Sequence, residues 1–195
     1  MPTAAQQQPG RPVSGLTPLL IAIGAMMVVV AASNWLVQYQ INEWLTWGAF
    51  TYPVSFFVTD LTNRAYGPAR ARIVVGAGFA LAVALSLWLA PWRIAVASGA
   101  AFLVAQLLDI QIFNRLRRLQ WFWAPLISSA IASVLDTYIF FAGAFAGTGV
   151  AWHTLGLGDL AVKLAFAILL LAPFRLLMPQ LPTWWPRSPI AARPL

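Results

Sequence analysis

The chain has 195 residues, of which 61% are hydrophobic and only 9% are charged. An average soluble domain carries roughly 25% charged residues, so this composition excludes a soluble globular protein and indicates an integral membrane protein. The chain contains no cysteine, which excludes disulfides, thiolate metal sites and thiol redox chemistry.

Six apolar segments joined by short loops predict an all-α polytopic membrane protein, because each membrane span needs about 20 apolar residues. One six-helix domain is expected over residues 16–178. Residues 1–15 are polar and predict a disordered cytoplasmic tail, and the Pro-rich residues 179–195 predict a cytoplasmic or interfacial tail. The predicted spans cover residues 17–39, 49–63, 73–90, 94–113, 123–145 and 158–174.

The first span becomes polar toward its end, where Asn34 and Gln38 share one helix face. This amide pair fits either an interfacial helix end or the rim of a cavity. The predicted external loop 41–48 contains Trp47, and tryptophans at this level are typical of the aromatic belt at a membrane surface.

The second span is short and contains Pro53 in its first turns. Irregular backbone at membrane depth is tolerated only beside a cavity, so the segment before this span is predicted to dip into the protein. Asp60 follows, four residues before Arg64. An ion pair at the helix end is one interpretation of this acid, and a ligand-binding carboxylate is the other.

The third span carries a row of small residues at Gly76, Ala80 and Ala84, which permits close helix packing or a homodimer. In the fourth span, Gln106 and Asp109 share a helix face. Asp109 lies six residues before Arg115, so it either neutralises the helix end or faces a ligand.

In the fifth span, Asp136 belongs to a helical stripe that also contains Ser129 and Ser133. Asp136 lies deep in the bilayer, where a charged group costs at least about 2.5–3.5 kcal/mol. Residues 147–158 are predicted to form an external loop, in which His153 has no assigned role. The sixth span contains Lys163, whose expected partner is Asp159 by helical spacing or Asp136 across the bundle.

The arginines predict the orientation of the chain in a membrane. With the N-terminus inside, ten arginines lie on the cytoplasmic side and only Arg93 lies outside. The net charge of +7 therefore indicates topology and contact with anionic lipid, and it does not indicate nucleic-acid binding.

No motif for enzyme chemistry is present in the sequence. The single histidine excludes a His–Cys metal cluster, the serines have no histidine near them, and no Gly-rich phosphate loop occurs. We therefore predict no catalytic residue, no metal and no cofactor. Carboxylates, amides and aromatic rings inside a membrane instead suit a small, flat solute, since a carboxylate can accept two parallel N–H bonds from an amidine-like edge.

Several segments resemble the queuosine precursor transporter family, a vitamin-uptake-transporter-like group of six-helix proteins. The resemblance extends in order from about residue 33 to residue 174. Its departures are the Pro-rich basic C-terminus and a compact loop after the third span. The matching segments are Ser33-Asn34, Thr46–Pro53, Thr59–Arg64, Gln106–Arg117, Asp136-Thr137 with Phe140-Phe141, and Asp159 to Lys163.

The resemblance implies uptake of a 7-deazaguanine (preQ0, preQ1 or queuine) across the cytoplasmic membrane of a bacterium, with both chain termini inside. It also implies a fold similar to the substrate-binding subunits of energy-coupling-factor transporters. A separate ATP-driven partner is compatible with this interpretation and is not required by it. The alternatives are a membrane scaffold or assembly protein with structural buried charges, and an intramembrane lipid-modifying enzyme.

Nine residues are predicted to bind the substrate. Asp60 or Asp136 is expected to accept the N–H groups of the base edge, and Lys163 to set the electrostatics or contact the base carbonyl. Asp109 is expected to act as a ligand or gate residue. Amides would contact the carbonyl and ring nitrogens, and aromatic rings would stack on the base; these residues are Asn34, Gln106, Trp47, Phe50 and Phe57, with Phe56 as the alternative to Phe57.

Overall fold

The computed structural model describes residues 16–36, 39–42 and 44–182, and these form a helical bundle with one short hairpin. The predicted tail 1–15 and most of the predicted tail 179–195 lie outside the described residues. The helices are α1 (Leu16–Leu36), α2 (Gly48–Thr51), α3 (Val54–Tyr66), α4 (Pro68–Leu89), α5 (Trp92–Leu116), α6 (Trp123–Phe145), α7 (Trp152–Leu169) and α8 (Leu171–Leu177).

The predicted all-α membrane fold is confirmed. Five helical segments of the described chain are long and apolar enough to cross a membrane: α1, α4, α5, α6 and the stretch Trp152–Gln180 that contains α7 and α8. The short helices α2 and α3 occupy the remaining predicted span, residues 49–63.

The first predicted loop contains regular structure that the sequence did not predict. Helix α1 ends at Leu36, three residues earlier than expected. Strands β1 (Gln40–Asn42) and β2 (Leu45–Thr46) then pair antiparallel as a hairpin. Of the amide pair predicted on α1, Gln38 lies outside the described residues.

The second predicted span is interrupted at Pro53 instead of forming one helix. Helix α2 ends at Thr51 and α3 begins at Val54. Proline has no N–H to donate to the carbonyl four residues earlier, so a helix that reaches it loses a backbone bond. The irregular backbone expected before this span therefore occurs within it.

A Gly-Pro turn connects α3 to α4. Gly67 has a φ of 86°, and its N–H donates to the Asn63 carbonyl at 3.0 Å, which closes the end of α3. Pro68 follows as the first residue of α4, where its missing N–H costs nothing. Helix α4 thereby begins five residues before the predicted span.

Helix α6 has the bounds that the sequence predicts, Trp123 and Phe145. Arg93, at the start of α5, closes the last turn of α6: its guanidinium donates to the Gly143 carbonyl at 2.9 Å and the Ala146 carbonyl at 2.5 Å. These bonds satisfy acceptors that a helix end leaves free.

The predicted loop 147–158 is wrong over its second half. Helix α7 begins at Trp152, so His153 lies in its first turn and Asp159 lies within the helix. The predicted sixth span lies inside the apolar stretch Trp152–Gln180, which is interrupted where α7 ends at Leu169 and α8 starts at Leu171. Pro173 explains this interruption, since it cannot donate to the carbonyl of Leu169.

Polar and apolar contacts lie in different parts of the bundle. One apolar core joins α1, α4 and α5 through Met26, Val74 and Phe102, each 2% exposed or less. The buried acids, the buried lysine and most buried hydroxyl groups lie between α3, α5, α6 and α7. This second region is where a polar ligand could be bound.

Gly158 is expected to be intolerant of substitution because α7 passes close to the hairpin there. A Cβ atom on Gly158 would lie 2.8 Å from the carbonyl oxygen of Trp44. We expect Gly158→Ala to lower the free energy of unfolding by about 1–3 kcal/mol, as overpacking does. Gly76→Ala is the matched control, because a Cβ there meets nothing within 4 Å. Denaturant titration in detergent measures both, and equal stability of the two variants would contradict the prediction.

Candidate functional site

Lys163 on α7 forms a buried triad with two carboxylates. Its ammonium lies 2.6 Å from Asp136 Oδ2 on α6 and also forms an ion pair with Asp159, one turn earlier on its own helix. Both partners that the sequence offered for this lysine are therefore present. With one cation and two carboxylates, the triad carries a net charge of −1 when all three groups are ionised.

Two hydroxyl groups complete the hydrogen bonds of the triad. The Tyr52 hydroxyl donates to Asp136 Oδ1 at 2.8 Å, and the Thr137 hydroxyl donates to Asp159 Oδ2 at 2.9 Å. The Lys163 ammonium also donates to Thr137 Oγ1 at 3.2 Å. An ammonium has three N–H donors, and all three are used here. Lys163 consequently has no donor left for a base carbonyl, so its predicted contact role would require the triad to rearrange.

A second acidic group lies between α3, α5 and α6. The Ser129 hydroxyl is 3.1 Å from Asp60 Oδ2 and 3.4 Å from Asp109 Oδ1. The Ser128 hydroxyl is 3.5 Å from Asp60 Oδ1. Asp60 and Asp109 are 3% and 0% exposed, so both carboxyl groups are held away from water.

Gln106 connects α5 to α3 through two buried hydroxyl groups. Its side-chain oxygen accepts from the Thr59 hydroxyl at 2.6 Å, and its amide nitrogen donates to Ser55 Oγ at 2.9 Å. A buried amide with such partners fixes the position of α3 beside α5, which in turn places Asp60 near Asp109. The predicted contact of Gln106 with a base would require these bonds to open.

A further set of bonds holds the ends of α3 and α5 together. Asn63 donates to the Ile110 carbonyl at 3.2 Å, and Arg117 donates to Asn63 Oδ1 at 2.6 Å. Burial and then the charge of Arg64 lower the pKa of Arg117 to about 10, so its guanidinium stays charged at neutral pH. The charged hydrogen bond to Asn63 is therefore present under ordinary conditions.

A small cavity of about 20 Å³ lies between the two acidic groups. A volume of this size holds about one water molecule, so a base-sized ligand requires the surrounding helices to move apart. Polar side chains reach it from three helices, and aromatic rings line much of the remaining wall. The lining residues are Pro53, Phe56, Phe57, Asp60, Pro125, Ser129, Ser133, Lys163, Ala167, Leu170, Leu171 and Phe174.

Both helix interruptions border this cavity. Pro53 lies at the α2–α3 break, and Leu170 and Leu171 lie at the α7–α8 break. In membrane transporters, interrupted helices in corresponding halves are a good indicator of the binding site. The cavity therefore has both the chemistry and the backbone architecture of a ligand site.

An aromatic cluster includes two of the rings that line the cavity, Phe57 and Phe174. Phe174 on α8 is 1% exposed, and its ring packs edge-on against Phe57 and Phe113 with centroid distances of 6.4 Å to each. Arg175, the next residue, lies over the Trp121 ring at 5.1 Å. We call Phe57, Phe113 and Phe174 the aromatic floor.

The structure brings some of the nine predicted residues to the cavity and separates others from it. Lys163, Asp60 and Phe57 line it, and so does the alternative Phe56. Three others do not line the cavity but contact residues near it. Asp109 contacts Ser129, Asp136 is paired with Lys163, and Gln106 connects α3 and α5.

The remaining three predicted residues lie away from the cavity lining. Asn34 donates to the Val30 carbonyl at 3.0 Å and is 3.5 Å from the Ser86 hydroxyl, which places it between α1 and α4. Trp47 is 54% exposed and packs on Phe50 with a centroid distance of 6.3 Å. Phe50 packs in turn on Phe166 of α7. A direct contact of these three with a ligand in this cavity is not supported by their positions.

Sequence reasoning missed several residues of the site. The sequence assigns Tyr52 no individual role, yet its hydroxyl donates to Asp136 from beside Pro53. Ser129 and Ser133 belong to a helical stripe to which the sequence assigns no role, and both line the cavity. In the sequence, Phe174 is only the last residue of the sixth predicted span. A signal for it was available, because Pro173 is a helix-breaking residue inside an apolar segment.

Comparison with known proteins gives a consistent result. The sequence profile of a family described as "Putative vitamin uptake transporter" matches residues 46–178, which is more than half of the chain. The match includes every cavity-lining residue. No solved structure matches the chain.

Three relatives have names that describe a transport function. A Haemophilus influenzae protein named "Probable queuosine precursor transporter" is 34% identical, with 74% of this chain and 79% of that protein aligned. The Escherichia coli "Queuosine precursor transporter" is 32% identical, with 75% and 80% aligned. A Bacillus subtilis "Probable queuosine precursor transporter" is 30% identical, with 64% and 67% aligned.

Proposed function

The chain belongs to the vitamin uptake transporter family, and from this premise we propose that it imports queuosine precursors across the bacterial cytoplasmic membrane. The proposed substrates are 7-deazaguanines such as preQ0, preQ1 or queuine. The observation that carries this proposal is the position of the Asp60 carboxylate in a cavity lined by aromatic rings between two interrupted helices.

Asp60 has the chemistry that a guanine-type edge requires. A carboxylate accepts two parallel N–H bonds, and a 7-deazaguanine offers N1–H and a 2-amino group side by side. The existing partners of Asp60 are serine hydroxyls at 3.1 and 3.5 Å. These bonds are longer than the usual O–H···O distance, so a ligand could replace them at small cost.

Asp136 is the less suitable of the two predicted acceptors. Its two oxygens are already bonded to Lys163 and Tyr52, at 2.6 and 2.8 Å. A ligand would have to break a buried ion pair to reach it, which is costly. We therefore assign the base edge to Asp60, and to the triad a supporting role that sets the charge of the neighbouring wall.

Phe56 and Phe57 supply the aromatic faces of the proposed site. Both line the cavity on the same helix as Asp60. Stacking of a base on an aromatic side chain is worth roughly 1–3 kcal/mol. Stacking on these rings and hydrogen bonds to the Asp60 carboxylate would together provide the affinity and the orientation for a planar, polar solute.

The proposed orientation has both termini on the cytoplasmic side, which the distribution of arginines favours. Asp60 then lies nearer to the cytoplasmic face than Asp136 does. A homodimer through Gly76, Ala80 and Ala84 stays a prediction, as does a separate ATP-driven partner. All three small residues face outward in the single chain.

Uptake of labelled preQ0 and preQ1 tests the proposal. We expect cells without their own uptake route to take up at least one of the two compounds when they produce this protein, and not with an empty vector. Membrane extracts control for insertion of the protein. Absence of uptake of either compound by cells whose membranes contain the protein would contradict the proposal, and product formation in detergent would favour the enzyme alternative.

A further inference from the structure

Asp60 and Asp109 form an acid pair that has too few hydrogen-bond donors for two ionised carboxylates. In the described part of the chain, neither carboxyl group forms an ion pair with a lysine or an arginine. Asp109 Oδ2 is buried without any hydrogen-bond partner among these residues, although Asp109 is 0% exposed. A buried carboxylate oxygen without a donor is costly, so two ionised carboxylates are disfavoured at this place.

The hydroxyl groups around the pair supply too few protons for four carboxyl oxygens. Ser129 has one hydroxyl proton and faces oxygens of both acids, at 3.1 and 3.4 Å. Ser128 also has one, and its hydroxyl lies equally close to Asp60 and to the carbonyl of Pro125, at 3.5 and 3.4 Å. Two hydroxyl protons therefore serve four carboxyl oxygens. One added proton on a carboxyl group would supply the absent donor.

We infer that Asp60 and Asp109 share one proton in this state, and that this proton is taken up with the substrate and released with it on the cytoplasmic side. The inference rests on the proposed transport function and adds its energy source, an inward proton gradient. One proton is transferred per cycle from external water to a carboxylate oxygen and from there to cytoplasmic water. No other bond is formed or broken.

The charges around the acid pair are consistent with a proton at this place. Lys163, which lines the same cavity from α7, is already neutralised by Asp136 and Asp159. The other charged groups on or next to the adjoining helices are all arginines, and among the described residues none forms an ion pair with Asp60 or Asp109. They are Arg64 at the end of α3, Arg70 and Arg72 at the start of α4, Arg93 and Arg115 on α5, and Arg117 and Arg118 after it.

Protonation of the pair changes what the cavity can hold. The pair carries one negative charge with the shared proton and two without it. Two adjacent charges in a water-free interior repel each other strongly, so release of the proton is favourable only where water reaches the site. Because Asp60 is also the proposed base acceptor, occupancy of the cavity and protonation of the pair affect each other directly.

Uptake into proteoliposomes tests the coupling. With the membrane potential clamped to zero and one pH unit of external acidity, we expect wild-type protein to accumulate labelled preQ1 or preQ0 about tenfold, because one proton then balances a tenfold concentration ratio. Asp109→Asn is expected to reduce this ratio to about one. Equal accumulation by the variant and the wild type would overturn the inference.

The other outcomes separate the inference from the proposed function. Wild-type protein that equilibrates either compound without accumulating it would overturn proton coupling and leave the transport function intact. Accumulation driven by a sodium gradient at equal pH would also overturn the proton assignment. Wild-type vesicles that take up neither compound would contradict the transport function itself.

Infrared difference spectroscopy of the purified protein tests the proton without any substrate. The band of a protonated buried carboxyl is expected near neutral pH and should vanish in both Asp60→Asn and Asp109→Asn. Asp159→Asn is the matched control, since that carboxylate is paired with Lys163 and the band should persist. Size-exclusion elution shows whether each variant is folded. Absence of the band from folded wild-type protein would overturn the shared proton.

Discussion

Lys163→Met is expected to lower the free energy of unfolding by about 3–5 kcal/mol, because it leaves two buried carboxylates without their cation. The wild-type triad is fully hydrogen-bonded, and Lys163 is 4% exposed. After the substitution, Asp136 and Asp159 would repel each other in a region that water does not reach. Unfolding by SDS titration, followed by the fluorescence of the 10 tryptophans, measures the loss.

Neutralising the acids as well provides the control. The triple variant Lys163→Met, Asp136→Asn, Asp159→Asn carries no charge in the triad and keeps side chains of similar size. Replacing a whole set of buried, ion-paired residues by uncharged residues often changes the free energy of unfolding only a little. We therefore expect the triple variant to recover most of the loss. Equal instability of the single and triple variants would show that the packing of Lys163 matters and its charge does not.

Asp60→Asn is expected to reduce uptake of the preferred queuosine precursor by roughly 10- to 150-fold. A hydrogen bond to a charged group contributes about 1.5–3 kcal/mol, and an amide cannot accept two parallel N–H bonds as a carboxylate does. The change preserves shape, so the loss should appear in uptake and not in the amount of protein in the membrane. Initial uptake rates over a range of substrate concentrations measure it.

Thr62→Val is the matched control for Asp60→Asn. Thr62 is on the same helix and is 3% exposed, but its hydroxyl bonds to the Val58 carbonyl and it does not line the cavity. Its uptake should remain within about twofold of wild type, which corresponds to less than 0.5 kcal/mol. Uptake by Asp60→Asn at the wild-type rate would remove Asp60 from the binding site.

Continuous apolar helices were predictable from the sequence, and interrupted ones were not. Helix α6 has its predicted bounds because its apolar run ends at clear turns. The loop predicted over residues 147–158 contains Gly156 and Gly158, and α7 begins before both of them. Both glycines are helical instead, and they allow close approach of α7 to Thr137 of α6 and to Trp44 of the hairpin. Tertiary packing here overrides a local preference for turns.

The charged residues of the site were easier to predict than their arrangement. Helical spacing predicts the Asp159–Lys163 contact, since residues four apart are neighbours on a helix. The meeting of Asp60 with Asp109 depends on how α3 and α5 lie against each other, which Gln106 fixes and which no local pattern encodes. Asn34 shows the converse, because its position at a polar helix end suggested a cavity and the fold places it beside α4.

The aromatic floor has a mechanical consequence. Phe174 belongs to a seven-residue helix, α8, that is separated from α7 by the interruption at Leu170, whereas Phe113 belongs to the long helix α5, which packs along α6. One ring of the aromatic floor therefore belongs to a short helix next to an interruption, and another belongs to a long helix that is packed along its neighbour. We expect a solute that leaves past these rings to require a swing of α8 about Leu170, while α5 and α6 keep their positions.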